Sequence, residues 1–189
     1  MIEFTIKKRE ESNLKMSYFV ISVVLYVMLI LLPIIIFIKK VEKRSVIEYL
    51  KLNRNIKKGI CVGILVSSIF ILFVYIKNQI VSKEGFYTDI GLLWGYGILV
   101  GFIEEIPLRG FALEKLKKKM SFWNANIVVT IIFVLLHFPN WFINGTNIIS
   151  SSITISTVSL CLGYLVNEYN SLWPAIICHS VFNIFFWVS

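Results

Sequence analysis

Apolar residues in this chain gather into six long runs separated by short polar stretches. A helix needs about 20 apolar residues to cross a bilayer, and the first run, Ser17 to Ile38, meets that length. Its Pro33 is tolerable, because neighbouring helices can satisfy the carbonyl that a proline leaves free. The second run covers about Gly59 to Ile76, and the third about Ile90 to Leu113. The fourth, Phe122 to Phe138, is expected to close at Pro139. The fifth covers about Ile148 to Val166, and the sixth Leu172 to Val188. This pattern predicts an all-α, polytopic membrane helix bundle of about six transmembrane helices. With no Gly/Ser linker, low-complexity tract or internal repeat, a single membrane domain over 17–188 follows a polar segment at 1–16.

Composition supports lipid contact. Of 189 residues, 57% are hydrophobic and 16% charged, whereas soluble domains run near 45–50% apolar and about 25% charged. The net charge of +8 does not indicate nucleic acid, since the basic residues sit in short loops rather than on one continuous face. Lys39, Lys40, Lys43, Arg44, Lys51, Arg54, Lys57 and Lys58 lie between the first two runs, and Lys115, Lys117, Lys118 and Lys119 follow the third. Twelve of the nineteen basic residues thus share one side, expected to be cytoplasmic. That places both termini on the other face, an orientation that the basic N-terminal segment opposes. Trp123, Trp141 and Trp173 stand near run ends, where aromatic rings favour the interface. Cys61, Cys161 and Cys178 lie in apolar stretches without a CxxC pair and are expected to be buried, unpaired thiols. The abundance of Ile, Lys and Asn suggests a bacterium with an AT-rich genome, and the apolar runs lead to the expectation of a multi-pass protein in its plasma membrane.

Several side chains do not belong in lipid. From Met120 to Asn167 there is no Asp, Glu, Lys or Arg, yet the third run contains Glu104, Glu105 and Arg109. Each charge near a helix centre costs about 2.5–3.5 kcal/mol on insertion scales. At about 100° per residue, Glu105 and Arg109 lie one turn apart and can pair. Glu104 points roughly 140° from Arg109 and is expected to face another helix. A purely structural ionic lock explains Glu105 and Arg109 but leaves Glu104 without a purpose. Both histidines of the chain, His137 and His179, fall in apolar runs, and Asn183 follows His179 by one turn. If the third and fourth helices form a hairpin turning between residues 120 and 121, Glu104 and His137 each lie roughly 24 Å from the turn. They are then expected to face each other.

Glu104-Glu105-x-x-x-Arg109-Gly110, Phe133-x-x-x-His137 and His179-x-x-x-Asn183 together resemble the three motifs of the CPBP family, the CAAX-protease and bacteriocin-processing group of intramembrane endopeptidases also called Abi. The stretch from Gly163 through Trp173-Pro174-Ala175-Ile176 is similar to the family's lead-in to its last motif, and the likeness covers about residues 90–187. One departure is Leu108, preceded by Pro107, where members commonly carry an aromatic residue.

The resemblance implies peptide-bond hydrolysis within the membrane, on membrane-associated, prenylated or bacteriocin-type peptides or on membrane-protein segments. It implies Glu104 as the base, His137 as a second holder of the water, and His179 and Asn183 as donors to the carbonyl oxygen. Glu105 and Arg109 would fix Glu104. Such donors are worth roughly 3–4 kcal/mol each. Alternatively, Glu104, His137 and His179 would bind a zinc ion whose water attacks; the soluble HExxH arrangement is absent. The competing reading is a non-catalytic bacteriocin immunity or membrane scaffold protein. A proton-linked transporter is disfavoured because the chain has no repeated halves. The partners expected are membrane lipid and a peptide or membrane-protein substrate, with no nucleic acid; the sequence sets no oligomeric state.

Overall fold

The computed structural model describes Ile21 and residues 23–77, 79–80 and 93–188. The polar segment 1–16, the start of the first run at Ser17 and the start of the third at Ile90 lie outside the described residues. Among the described residues the fold is entirely helical, an all-α membrane bundle. The chain separates into two compact units, Met1–Arg44 and Ser45–Ser189.

In the first unit a π-helical turn, Val27–Leu31, leads into α1, Leu32–Lys40. Pro33 stands where the π-helical turn passes into α1, inside a winding that is continuous over Val23–Lys40, so its missing N–H falls within a helix rather than at a free start. Lys39 and Lys40 occupy the last turn, complementing the helix dipole.

In the second unit a short helix α2, Val46–Tyr49, precedes the long α3, Ile56–Lys77. Helix α4, Leu93–Glu105, runs without a break through a π-helical segment, Ile106–Leu113, into α5, Glu114–Leu116. Pro107 accounts for the change of winding. It has no N–H to give the Ile103 carbonyl, so the ladder steps to the wider i→i+5 spacing. Helix α6 covers Phe122–Asn144, α7 Ile148–Tyr169 and α8 Trp173–Val188. The expected close of the fourth helix at Pro139 is not observed: α6 continues for five further residues and stops at Gly145, whose φ of 63° suits glycine. The proline lies inside the helix as a local gap in its ladder. Asn147 caps the start of α7 by accepting from the Ser150 N–H, and Asn170 ends it in the left-handed region.

Helix α8 lies at the centre of this unit and packs against α3, α4 and α7, while α6 pairs with α7. Glycines set these distances. A Cβ at Gly101 would collide with Ser180 Oγ and the Ile176 carbonyl, so α4 reaches α8 almost backbone to backbone, and Ser180 donates to the Ile98 carbonyl across the same seam. One core layer gathers Leu108, Leu113, Ala125, Val129 and Phe133; another gathers Leu162, Val166, Leu172, Ala175 and Ile176.

The outer surface is apolar, with Leu65, Ile69 and Phe73 of α3 and Ile131 and Leu135 of α6 exposed. A water-soluble protein rarely leaves so much apolar surface uncovered. Among the described residues four helices, Val23–Lys40, Ile56–Ile76, Phe122–Asn144 and Ile148–Tyr169, are long and apolar enough to span by themselves. The apolar stretch Trp173–Phe185 of α8 is shorter, as suits a helix flanked by protein. The cysteines are unpaired as expected, but Cys61 and Cys161 lie on the outer face rather than in the core, and Cys178 is half-buried.

Candidate active site

The i,i+4 pair forms as its spacing predicts. Arg109 Nη1 donates to Glu105 Oε1 at 2.8 Å, and both side chains are 0% exposed. A buried charge pair needs further hydrogen bonds to offset its desolvation, and α7 contributes some of them here, while Glu105 Oε2 and Arg109 Nε keep no hydrogen-bond partner within the protein. Arg109 Nη2 donates to Ser159 Oγ at 2.7 Å and lies 3.3 Å from the Ser159 carbonyl, while Thr130 of α6 shares a hydrogen bond of 2.8 Å with the same hydroxyl. The guanidinium also lies 4.8 Å above the Phe133 ring, a cation–π contact in a desolvated setting.

Helix α8 brings His179 to this pair. Its Nδ1 lies 2.6 Å from Glu105 Oε1, and its Nε2 lies 3.6 Å from Glu104 Oε2. The two glutamates therefore converge on opposite sides of one imidazole, although α-helical spacing sent Glu104 toward a different helix. The Gly101 seam makes this possible, because it lets α8 approach close enough for its ring to stand between neighbouring carboxylates. Glu105 is sealed, whereas the Glu104 side chain keeps 31% of its surface open. Even so, Glu104 Oε2 is enclosed and has no hydrogen-bond partner within the protein.

The other expected residues stand nearby with different partners. Among the described residues no hydrogen bond or ion pair joins His137 to Glu104. His137 Nδ1 instead meets the Phe133 carbonyl at 2.8 Å. A carbonyl only accepts, so Nδ1 carries the proton and, in the neutral ring, Nε2 carries the lone pair. Phe133 links the two histidines: its ring centroid lies 4.6 Å from His137 and 5.7 Å from His179, edge to face. Asn183 Nδ2 donates to the His179 carbonyl at 3.1 Å, which uses one of its two amide hydrogens.

A family model for type II CAAX prenyl endopeptidase Rce1-like proteins matches residues 85–185. That stretch contains every residue of the constellation just described and more than half of the chain. The chain belongs to this family. No match was found among characterised proteins or among solved structures. As an Rce1-like protein, the chain is a membrane endopeptidase by family, and its helices supply the multi-pass membrane setting that this activity requires.

Ser159 and Thr130 are the residues of this Rce1-like site that the site reading of the sequence missed, while Phe133 stood in the second motif without an assigned role. Helix α7 is crowded with hydroxyls, and two of them, Thr154 and Thr157, bond carbonyls of their own helix. Nothing in the sequence marks Ser159 as the exception. Thr130 carried a weak signal, since Asn126, Thr130, Phe133 and His137 recur at the spacing of one helix face. As for zinc, no group of three His, Cys, Asp or Glu side chains among the described residues is gathered closely enough to hold a metal ion.

Proposed function

We propose that this Rce1-like protein hydrolyses membrane-associated peptides, lipid-modified tails among them, with a water molecule held between Glu104 and His179. One observation carries the reading. Glu104 Oε2 is enclosed without a partner and stands 3.6 Å from His179 Nε2, too far for a direct hydrogen bond and suited to a bridging water. Glu105 accepts from Nδ1, so in the neutral ring Nε2 is an acceptor. A water between them donates one hydrogen to each and turns a lone pair outward. The opening beside Glu104 admits the scissile carbonyl.

In this reading Glu104 takes a proton from the water as its oxygen bonds the carbonyl carbon. The C–N bond then breaks, and the proton passes from Glu104 to the departing amine. His137, with its acceptor Nε2, holds the water or the substrate on the far side of Phe133. The oxyanion role expected of His179 narrows, because the neutral ring has no hydrogen at Nε2 and donates there only as the imidazolium. Asn183 retains one amide hydrogen for that role. Glu105, Arg109, Ser159 and Thr130 fix the tautomer and direction of His179, much as a buried carboxylate orients a catalytic histidine in serine hydrolases.

The test is cleavage of a prenylated peptide by the purified protein in liposomes. Glu104→Ala and His137→Ala should both be inactive while remaining folded, and wild-type activity should survive dialysis against a chelator. Full activity in both variants would discard the assignment. Loss on chelation, restored by zinc, would replace the carboxylate-held water with a metal-held one.

A further inference from the structure

The segment 45–55 lies outside the residues matched by the family model and holds three features that a plain connector does not need. Lys51 is buried, and it adopts the left-handed backbone region with φ of 58°, a conformation unfavourable for any side chain with a Cβ. A strained residue persists only where its surroundings hold it. Here Lys51 Nζ pairs with Glu114 at 2.8 Å, and its carbonyl accepts from the Leu172 N–H at 3.3 Å.

The neighbours of Lys51 reach the same two elements. Leu50 is almost wholly buried against Gly110, where an added Cβ would come within 3.0 Å of Leu50 Cδ2. Gly110 follows Arg109 directly in the π-helical segment. On the other side the Leu52 carbonyl accepts from Trp173 Nε1 at 2.8 Å, in the first turn of the helix that carries His179. One loop thus grips both the segment that presents Glu105 and Arg109 and the helix that presents His179.

We infer that segment 45–55 is a positioning clamp that sets Glu105 and Arg109 against His179, with Leu50 seated on Gly110 as its contact point. Leu50 and Gly110 are positioning residues and touch no reacting atom. This inference rests on the hydrolytic reading for its effect on rate, but not for its effect on geometry. The short Glu105–His179 hydrogen bond should give a downfield imidazole N–H proton resonance, which reports the clamp without any substrate.

The experiment compares wild type, Gly110→Ala, Leu50→Ala and the double variant in nanodiscs. It follows that resonance together with kcat and KM for a prenylated peptide. Each single variant should shift the resonance and lower kcat by about tenfold or more with KM nearly unchanged, as a displaced catalytic group does. The double variant, which returns bulk to the contact from the helix side, should recover most of both. A resonance unmoved in both single variants overturns the clamp, whether or not the protein cleaves peptide. Losses that simply multiply in the double variant overturn the Leu50–Gly110 contact as its working point. If the resonance responds and recovers while wild type shows no Glu104-dependent cleavage, the clamp stands and the hydrolytic reading falls.

Discussion

Within one helix, sequence spacing is a reliable guide; between helices it is not. Glu105 and Arg109 were legible because four residues make one turn, and their pair forms at 2.8 Å in full burial. That His179 serves both glutamates was not legible, because it depends on the separation of α4 and α8. Ser159 was hidden for a related reason: only interhelical packing distinguishes a hydroxyl that serves a neighbour from one that serves its own backbone. Its role makes a stability prediction. Ser159→Ala leaves Arg109 Nη2 and Thr130 short of a buried partner, which should cost about 1–3 kcal/mol. Chemical unfolding in detergent measures this, and a midpoint equal to wild type contradicts the assigned network. Ser159→Thr keeps a hydroxyl and should recover part of the loss.

At the scale of elements, the apolar runs located the helices, and the prolines were the weak points of the reading. Pro139 was expected to end a helix, but α6 passes through it. In a bilayer the alternative to helix is exposed backbone, so one missing hydrogen bond is the smaller penalty. Pro107 has the larger effect, since the π-helical winding that begins beside it carries Arg109 and Gly110. Restoring an N–H with Pro107→Ala should let the regular ladder continue, which keeps the i,i+4 spacing of Arg109 to Glu105 but turns Arg109 away from Ser159 and Phe133. The variant is expected to fold at least as stably as wild type, yet to cleave more slowly by about 10²-fold, the scale of a small misplacement at a reacting centre. Unchanged cleavage would show that the winding is incidental to the site.

For the whole molecule, hydropathy and loop charge gave the membrane class, and the three motifs led to the family that the match over 85–185 establishes. The clamp formed by 45–55 was not legible, because its residues look like an ordinary basic loop between spans. Burial pushes the Lys51 ammonium below its ordinary value of 10.5, against the opposing pull of Glu114. The unfolded chain therefore binds more protons than the folded one in the interval below 10.5, and stability should rise with pH there. Thermal unfolding across that alkaline range should show the slope in wild type and a smaller slope in Lys51→Met; equal slopes contradict the burial of this charge. The central claim is that Glu104 activates a water at an enclosed polar point inside the bundle, and single-turnover cleavage by Glu104→Gln tests it most directly. Because Glu104 Oε2 has no hydrogen-bond partner in the protein, the variant should melt like wild type while its cleavage rate falls by about 10²–10⁴-fold, the contribution of a general base. A folded Glu104→Gln protein that cleaves at the wild-type rate contradicts the account.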